Sequence, residues 1–392
     1  MHIAIDAHSV GSQLAGNETY ALNLIEALAE IDQDNQYTLF VTRKDAIDRF
    51  RNRWPNFKVK HTLPHTPLVR IPLTLSAELR RSPVDVLHVQ YTAPPLAPCA
   101  VVATIHDLSF EHLPETFNRR SRAQLRLTIR RTARNAAHIL TLSEFSRRDV
   151  IETYKIDASR VSVTPAAAPA RFAPVTNETE LKRIRESYAI ERDYILALGS
   201  IQPRKNLVRL ISAYTSLWQA DQKMKLPQLV LAGKRGWLEA ETLRAAEQSP
   251  ARKDILFVGY VPDADLPGLY SGATCFAYPS FFEGFGLPLL EAMQCGTPLI
   301  AGNRTSVPEV VGDAGLLVDP FDESAISAAL RQIVQNDNVR VELRAKGLER
   351  AQGFSWKTTA ELTLQAYERA VQTQGTSRRR GRSSTAQSKN EQ

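Results

Sequence analysis

Cysteine is scarce. Cys99, Cys275 and Cys295 are the only three in 392 residues, odd in number and far apart. That spacing excludes a disulfide scaffold and a Cys-x-x-Cys metal site, and it suits a reducing cytosol. No stretch approaches the roughly 18 consecutive apolar residues of a membrane span. The first apolar run, Ile3-Ala4-Ile5, is broken at once by Asp6, so neither a signal-peptide core nor a span is expected there. The eight histidines contain no His-Glu-x-x-His and no His-x-His pair, and no Asp-x-Asp motif is expected to hold a divalent ion. No metal site is therefore expected. A repeat of about 20–50 residues is lacking too, which argues against a solenoid.

What is present is an ordinary globular composition, 43% hydrophobic and 23% charged. At about 100–200 residues per domain this length predicts two or three domains. Net charge is +7, unevenly placed. The last seventeen residues carry Arg378, Arg379, Arg380, Arg382 and Lys389 against Glu391, a net of +4, which leaves +3 for the body. Residues 373–392 are rich in Ser, Gln, Arg and Thr without an apolar period, so this basic tail is expected to be disordered. A solvated tail is a more frequent outcome than a nucleic-acid or lipid contact, and no specific nucleic-acid partner is expected.

Short apolar runs alternate with helical periodicity along the whole chain. In the first half the strand-like runs are His2–Asp6, Tyr37–Val41, Val84–Val89, Val101–Ile105, His138–Leu142 and Val161–Thr164. The proline-punctuated stretch Thr164–Pro174 reads as a linker. The alternation then restarts with Tyr194–Leu198, Leu229–Ala232, Ile255–Val258, Thr274–Tyr278 and Leu299–Ala301. Such alternation predicts parallel sheets covered on both faces. The expected fold is α/β, two Rossmann-like doubly wound domains, 1–172 and 173–355, facing a central cleft. A C-terminal helix over 356–372 is expected to pack back on the first domain. Ligands of doubly wound sheets sit outside the carboxyl ends of the strands, so site motifs should fall just after strands.

They do. The segment Tyr278–Ala301 closes a strand, continues through Glu283-Gly284-Phe285-Gly286, and opens a helix near Leu287-Pro288. Small residues before a helix start leave backbone N–H groups facing outward, aided by the helix dipole. Glu283 and Glu291, eight residues apart across the junction, can address different parts of one elongated ligand. A second cluster, Gly199-Ser200-Ile201-Gln202-Pro203-Arg204-Lys205-Asn206, follows another strand. Two adjacent cations in a strand-to-helix turn suit a departing diphosphate. A solvent-exposed basic turn and a capping loop are the bland alternatives.

The whole string E-G-F-G-L-P-x-x-E-A-M-x-x-G-x-P-L-I-A resembles the retaining GT-B glycosyltransferases of family 4, also called glycosyl transferases group 1, which include many bacterial mannosyltransferases. The likeness continues through Ser306–Gly312 and Gly315–Pro320 and covers most of the second domain. It implies that Glu291 binds the ribose hydroxyls of a nucleotide sugar and that Glu283 sits by the sugar ring. The backbone of Gly284, Phe285, Gly286 and Leu287 would lie near the sugar and diphosphate. Many relatives have Arg directly after the glycine, where this chain has Ser200 beside the donor, so Arg204 supplies that guanidinium instead or shares the task with Lys205. His106, at a strand end in Thr104-Ile105-His106-Asp107, would lie near the sugar's 6-hydroxyl and the reacting centre. Asp107 either orients it or caps the next segment. The loop Gly11–Asn17 resembles the family's glycine-rich first loop, with Gly16 on the donor side and Gly11 toward the acceptor. Ser143, in Ser143-Glu144-Phe145-Ser146, resembles the segment lining the acceptor side, although a helix cap explains it equally.

The expected activity is retaining, metal-independent transfer of a mannose- or glucose-type sugar from a nucleoside-diphosphate sugar, GDP-mannose or a UDP-sugar. The acceptor would be a hydroxyl of a glycan or a lipid-linked molecule in cell-surface polysaccharide or glycolipid synthesis. The nucleotide sugar is a co-substrate, and no cofactor is expected. An epimerase or phosphorylase on the same architecture, or a non-catalytic nucleotide-sugar-binding subunit, remain alternatives. Between residues 118 and 137 lie Arg119, Arg120, Arg122, Arg126, Arg130, Arg131 and Arg134 with no acid among them. Five of these share one helical stripe, which points to an anionic membrane surface or a pyrophosphate-linked acceptor. The expected location is cytoplasmic, peripheral on the inner membrane face.

Overall fold

The computed structural model describes residues 1–12, 15–220, 225–236 and 238–387. The chain divides into two compact units. The first holds Met1–Glu111, Arg119–Ala166 and the final helix, and the second holds His112–Asn118 and Ala167–Ser355.

The first unit has seven strands, β1 (His2–Asp6), β2 (Gln36–Val41), β3 (Phe57–His61), β4 (Val86–Gln90), β5 (Ala100–Thr104), β6 (His138–Thr141) and β7 (Val161–Val163). All pair in parallel in the order β3-β2-β1-β4-β5-β6-β7. The second unit repeats the plan with β8 (Tyr194–Leu198), β9 (Gln228–Ala232), β10 (Ile255–Gly259), β11 (Cys275–Tyr278), β12 (Leu299–Gly302) and β13 (Gly315–Val318), ordered β10-β9-β8-β11-β12-β13. In each sheet the strand order reverses once, between β1 and β4 and between β8 and β11. Those two switch points are where doubly wound sheets take ligands.

Central strands read as apolar runs because helices cover both faces; Tyr194–Leu198 is a buried Tyr-Ile-Leu-Ala-Leu. The helix Leu207–Ala220 buries Leu210, Ile211, Tyr214 and Leu217 against this sheet at 3–4-residue spacing. Burying each such side chain contributes about 1.5–3 kcal/mol.

The final helix runs Trp356–Gln387, so the expectation of disorder from residue 373 is corrected over 373–387. Its first half is anchored by buried Ala360, Ala366, Tyr367 and Ala370. No proline follows Trp356, so a helix already nucleated there extends at one hydrogen bond per residue. The part of that expected tail at 388–392 lies outside the described residues. Tyr367 Oη lies 2.7 Å from His88 Nδ1, and Thr359 donates to the Pro165 carbonyl, tying the helix to the first sheet. Among the described residues no helix is long and apolar enough to cross a membrane.

The basic helix forms over Arg119–Asn135 and buries Ile129, Thr132 and Ala133. Its stripe is broken, however. Arg126 pairs with Glu111 at 2.7 Å, and Arg122 donates to the Phe110 carbonyl at 3.0 Å. The acid comes from a preceding turn outside the helix. Arg119, Arg120, Arg130 and Arg134 remain exposed.

Candidate functional site

In the second unit the loops after β8 and β11 meet at the switch point. The turn Pro203–Lys205 is one of tight 3-10 geometry, and Asn206 after it adopts a left-handed conformation (φ 58°). Asn206 donates through Nδ2 to the carbonyls of Pro279 (3.0 Å) and Pro320 (2.6 Å), locking the turn to two other loops. The turn thereby presents both cations to one carboxylate. Arg204 donates to Glu283 Oε2 at 2.8 Å and to the Phe282 carbonyl at 2.5 Å. Lys205 Nζ donates to Glu283 Oε1 at 2.8 Å and to the Tyr278 hydroxyl, and lies 4.4 Å from the Tyr278 ring centre. Glu283 is further held by its backbone, which accepts from Ser306 Oγ (2.8 Å) and donates to Thr305 Oγ1 (3.0 Å).

Burial would raise the Glu283 carboxyl, but Arg204 and Lys205 outweigh it and hold it down to about 2. One carboxylate against two cations leaves net positive charge in a largely buried place. That is an anion receiver. Gly199 sits beneath it at φ +145°, and a Cβ there would stand 3.2 Å from Lys205 Cε. Ser200 follows it, half-buried.

Gly286 opens the helix Leu287–Gln294 with φ +99°, a conformation that side chains resist. Gly284, Phe285 and Leu287 are buried around it, and the first-turn N–H groups of such a helix lack intrahelical acceptors. Glu291, on that helix, is buried and accepts from the Tyr270 hydroxyl at 2.9 Å. Burial pushes its carboxyl up to about 7, only partly opposed by Tyr270 and Arg171. The two carboxylates of the Glu-x7-Glu motif thus carry opposite shifts, Glu283 held ionised and Glu291 held close to neutrality.

In the first unit His106, just beyond β5, is buried with Nε2 2.8 Å from Gln90 Oε1. The rings of Tyr20 and Tyr91 flank it at 4.9 and 5.3 Å. Burial pushes the imidazole down to about 4, with Asp107 opposing. Asp107 itself accepts from the backbone N–H and hydroxyl of Ser109, so its hydrogen bonds cap the next segment. Ser143 caps the helix Glu144–Tyr154, accepting from Ser146 N at 3.1 Å. Gly11 (φ +77°) donates to Glu18 at 2.7 Å, and Gly16 lies in the first turn of the helix Ala15–Ile31 with open space where a Cβ would be.

The structure therefore gathers Arg204, Lys205 and Glu283 in one ionic group, and places Glu291 and His106 in separate buried settings. Sequence reasoning gave no role to Gln90, Asn206, Tyr270 and Tyr278. Gln90 and Tyr278 stand at strand ends, and Asn206 closes the Gly199–Asn206 turn motif, signals that could have flagged them. It also passed over two Asp-x-Asp triplets. Asp32 accepts from the backbone of Asp34 and Asn35. Asp263 pairs with Arg171, and Asp265 with Arg183 and Tyr188. Among the described residues no three His, Cys, Asp or Glu side chains converge as a metal site would require.

Two family models match this chain, Glycosyltransferase Family 4 over residues 14–168 and Glycosyl transferases group 1 over residues 180–350. O-antigen chain mannosyltransferase B of Escherichia coli is 34% identical over 381 residues, covering 94% of this chain and all of that protein. The chain belongs to the family 4 glycosyltransferases. Another relative, the serotype-specific mannosyltransferase WbdA of Escherichia coli, is 35% identical over 60% of this chain, a match spanning 29% of that longer protein. Among solved structures, sucrose-phosphate synthase from Thermosynechococcus elongatus aligns with a TM-score of 0.73 at 20% identity, covering 94% of this chain and 98% of that one. Anabaena HepE in complex with UDP and glucose aligns at 0.70 and 18% identity, covering 94% and 99%. These likenesses establish the GT-B fold of two Rossmann-like units. Within this glycosyltransferase the string Glu283–Glu291 lies inside the group 1 match, and His106 and Gln90 lie inside the family 4 match.

Proposed function

We propose that this glycosyltransferase moves a mannose-type hexose from a nucleoside-diphosphate sugar to a hydroxyl of a glycan or lipid-linked acceptor, with retention and without a metal ion. One observation carries the reading: Arg204 and Lys205 converge, largely buried, beside the glycine-opened helix start at Gly286. Fixed positive charge there stabilises a departing diphosphate without reorganisation during the reaction. The bond from the anomeric carbon to the phosphate oxygen breaks, and its electron pair leaves with the diphosphate. The acceptor oxygen bonds to the same face, and its proton passes to a phosphate oxygen. Glu291 would take the ribose hydroxyls, as the resemblance implies. The name of the relative that this chain matches along most of its length, an O-antigen chain mannosyltransferase, favours mannose and polysaccharide synthesis.

The test offers GDP-mannose, UDP-glucose, UDP-galactose and UDP-N-acetylglucosamine with a lipid-linked oligosaccharide pool, reading free nucleotide and product mass. GDP release from GDP-mannose is expected only with acceptor present, with an α-linked product and a rate that EDTA leaves intact. Acceptor-independent turnover would point to an epimerase or phosphorylase. A collapse in EDTA restored by Mg²⁺ or Mn²⁺ would contradict the metal-free mechanism.

Exposed Arg119, Arg120, Arg130 and Arg134 support peripheral contact with an anionic membrane on its cytoplasmic face, at about 1 kcal/mol per residue. Arg119→Glu, Arg130→Glu and Arg134→Glu together should abolish sedimentation with anionic vesicles at low salt and leave nucleotide binding unchanged. Wild-type protein that ignores such vesicles would favour a soluble acceptor.

A further inference from the structure

Gln90 is the last residue of β4, paired in register with Thr104 at the end of β5, beside the switch point of the first sheet. It bridges two loops. Its Oε1 lies 2.8 Å from His106 Nε2, and its Nε2 lies 3.1 Å from the hydroxyl of Ser9, beyond β1. The direction of each bond follows from the far end of this chain. Ser9 Oγ donates its single proton to the Asn17 carbonyl at 3.3 Å, so toward Gln90 it accepts. The amide nitrogen of Gln90 therefore faces Ser9, and the amide oxygen faces His106. An amide oxygen only accepts, so His106 must carry its proton on Nε2.

All three side chains are buried. The groups facing the imidazole are Asp107, which favours its charged form, His88, which shares its charge environment, and the rings of Tyr20 and Tyr91. Burial outweighs Asp107 and keeps the ring neutral. No described residue makes a hydrogen bond to its Nδ1. Tyr91, directly after Gln90, is held at φ +64°, an uncommon conformation for a bulky side chain that signals a constraint at this strand end.

We propose that Gln90 is a positioning residue that fixes His106 as the neutral Nε2–H tautomer, leaving Nδ1 as a hydrogen-bond acceptor for a substrate hydroxyl. The inference rests on the reading of His106 as a group facing the sugar. It assigns His106 the part of a neutral acceptor, not a cation paired with the diphosphate. Without Gln90 the ring would divide between two tautomers, one of which turns an N–H toward the hydroxyl's oxygen and loses the aligned bond.

Long-range ¹H–¹⁵N spectra of histidine-labelled protein, with the His106 signals assigned by their loss in His106→Gln, test this directly. Wild type should show Nε2 protonated and Nδ1 bare. Gln90→Leu should show mixed tautomers and lose about tenfold or more in kcat, the equivalent of one good hydrogen bond, with nucleoside-diphosphate affinity unchanged. Gln90→Glu should retain the tautomer and restore turnover at high pH. Its carboxylate favours imidazolium, so the acid limb of kcat should move upward by about one pH unit or more. A wild-type His106 protonated on Nδ1 overturns the proposal, as does a Gln90→Leu protein with unchanged tautomer and turnover. The expected spectra in a protein that transfers no sugar would uphold the positioning and sink the proposed function instead.

Discussion

Lys205→Ala lowers turnover by about 10²–10³-fold, and Arg204→Ala by a similar factor, each with a smaller loss of donor affinity. The expectation follows from where charge grows. The bound donor already carries a diphosphate, so each cation contributes to ground-state binding. As the glycosidic bond breaks, a further negative charge moves onto the bridging oxygen, and only then do the cations gain their full interaction. Both side chains are at least 85% removed from solvent, with 15% and 11% exposure, where a charge interaction is worth several times its value in water. Glu283 holds both nitrogens at 2.8 Å without any ligand, so the geometry is built before substrate arrives. Steady-state kinetics on GDP-mannose with calorimetry on the free nucleotide separates the two effects. If both variants changed only KM, the cations would be ground-state anchors and the departing-charge mechanism would fail.

How much of this was legible depended on burial and on sequence distance. β8 was read to its exact ends, Tyr194–Leu198, because a strand covered on both faces is an uninterrupted apolar run. β3, Phe57–His61, alternates lysine with apolar residues and went unread as a strand; it lies at the sheet edge, where one side needs no partner and little burial marks it. β13, at the opposite edge of the second sheet, was seen only as part of a motif. The Glu-x7-Glu string was legible since its members share one loop-to-helix junction. The partners that tune them were not, because Lys205 reaches Glu283 across 78 residues and Tyr270 reaches Glu291 across 21. The same limit explains the basic helix. Its run of arginines was read as unopposed, yet Glu111 folds back from outside the helix to pair with Arg126.

Glu291→Gln should stabilise the protein at about pH 8 and leave its stability unchanged near pH 4. Burial raises this carboxyl from its ordinary 4.5 to about 7. Between those values the native state keeps a proton that the unfolded chain has released, so wild-type stability falls as pH rises through this window, by about 3 kcal/mol in all. A neutral amide has no such loss. Glu283 has the opposite sign: held down to about 2, its contribution is present above the usual carboxylate range and disappears only as pH falls toward 2, outside the window in question. Thermal unfolding of wild type and variant from about pH 4 to pH 8 therefore isolates Glu291. Nucleotide binding should carry the same signature. Ribose hydroxyls donate, and an ionised carboxylate offers both oxygens as strong acceptors while a protonated one does not. Binding to the ionised form releases the proton, so wild-type affinity for GDP should rise with pH between about 5 and 7, approaching tenfold per unit at its steepest. In Glu291→Gln that dependence should shrink to the share set by the nucleotide's own terminal phosphate, which titrates at about pH 6, and affinity at pH 8 should fall. An identical pH dependence in both proteins would remove Glu291 from the ribose site and leave its burial a matter of folding alone.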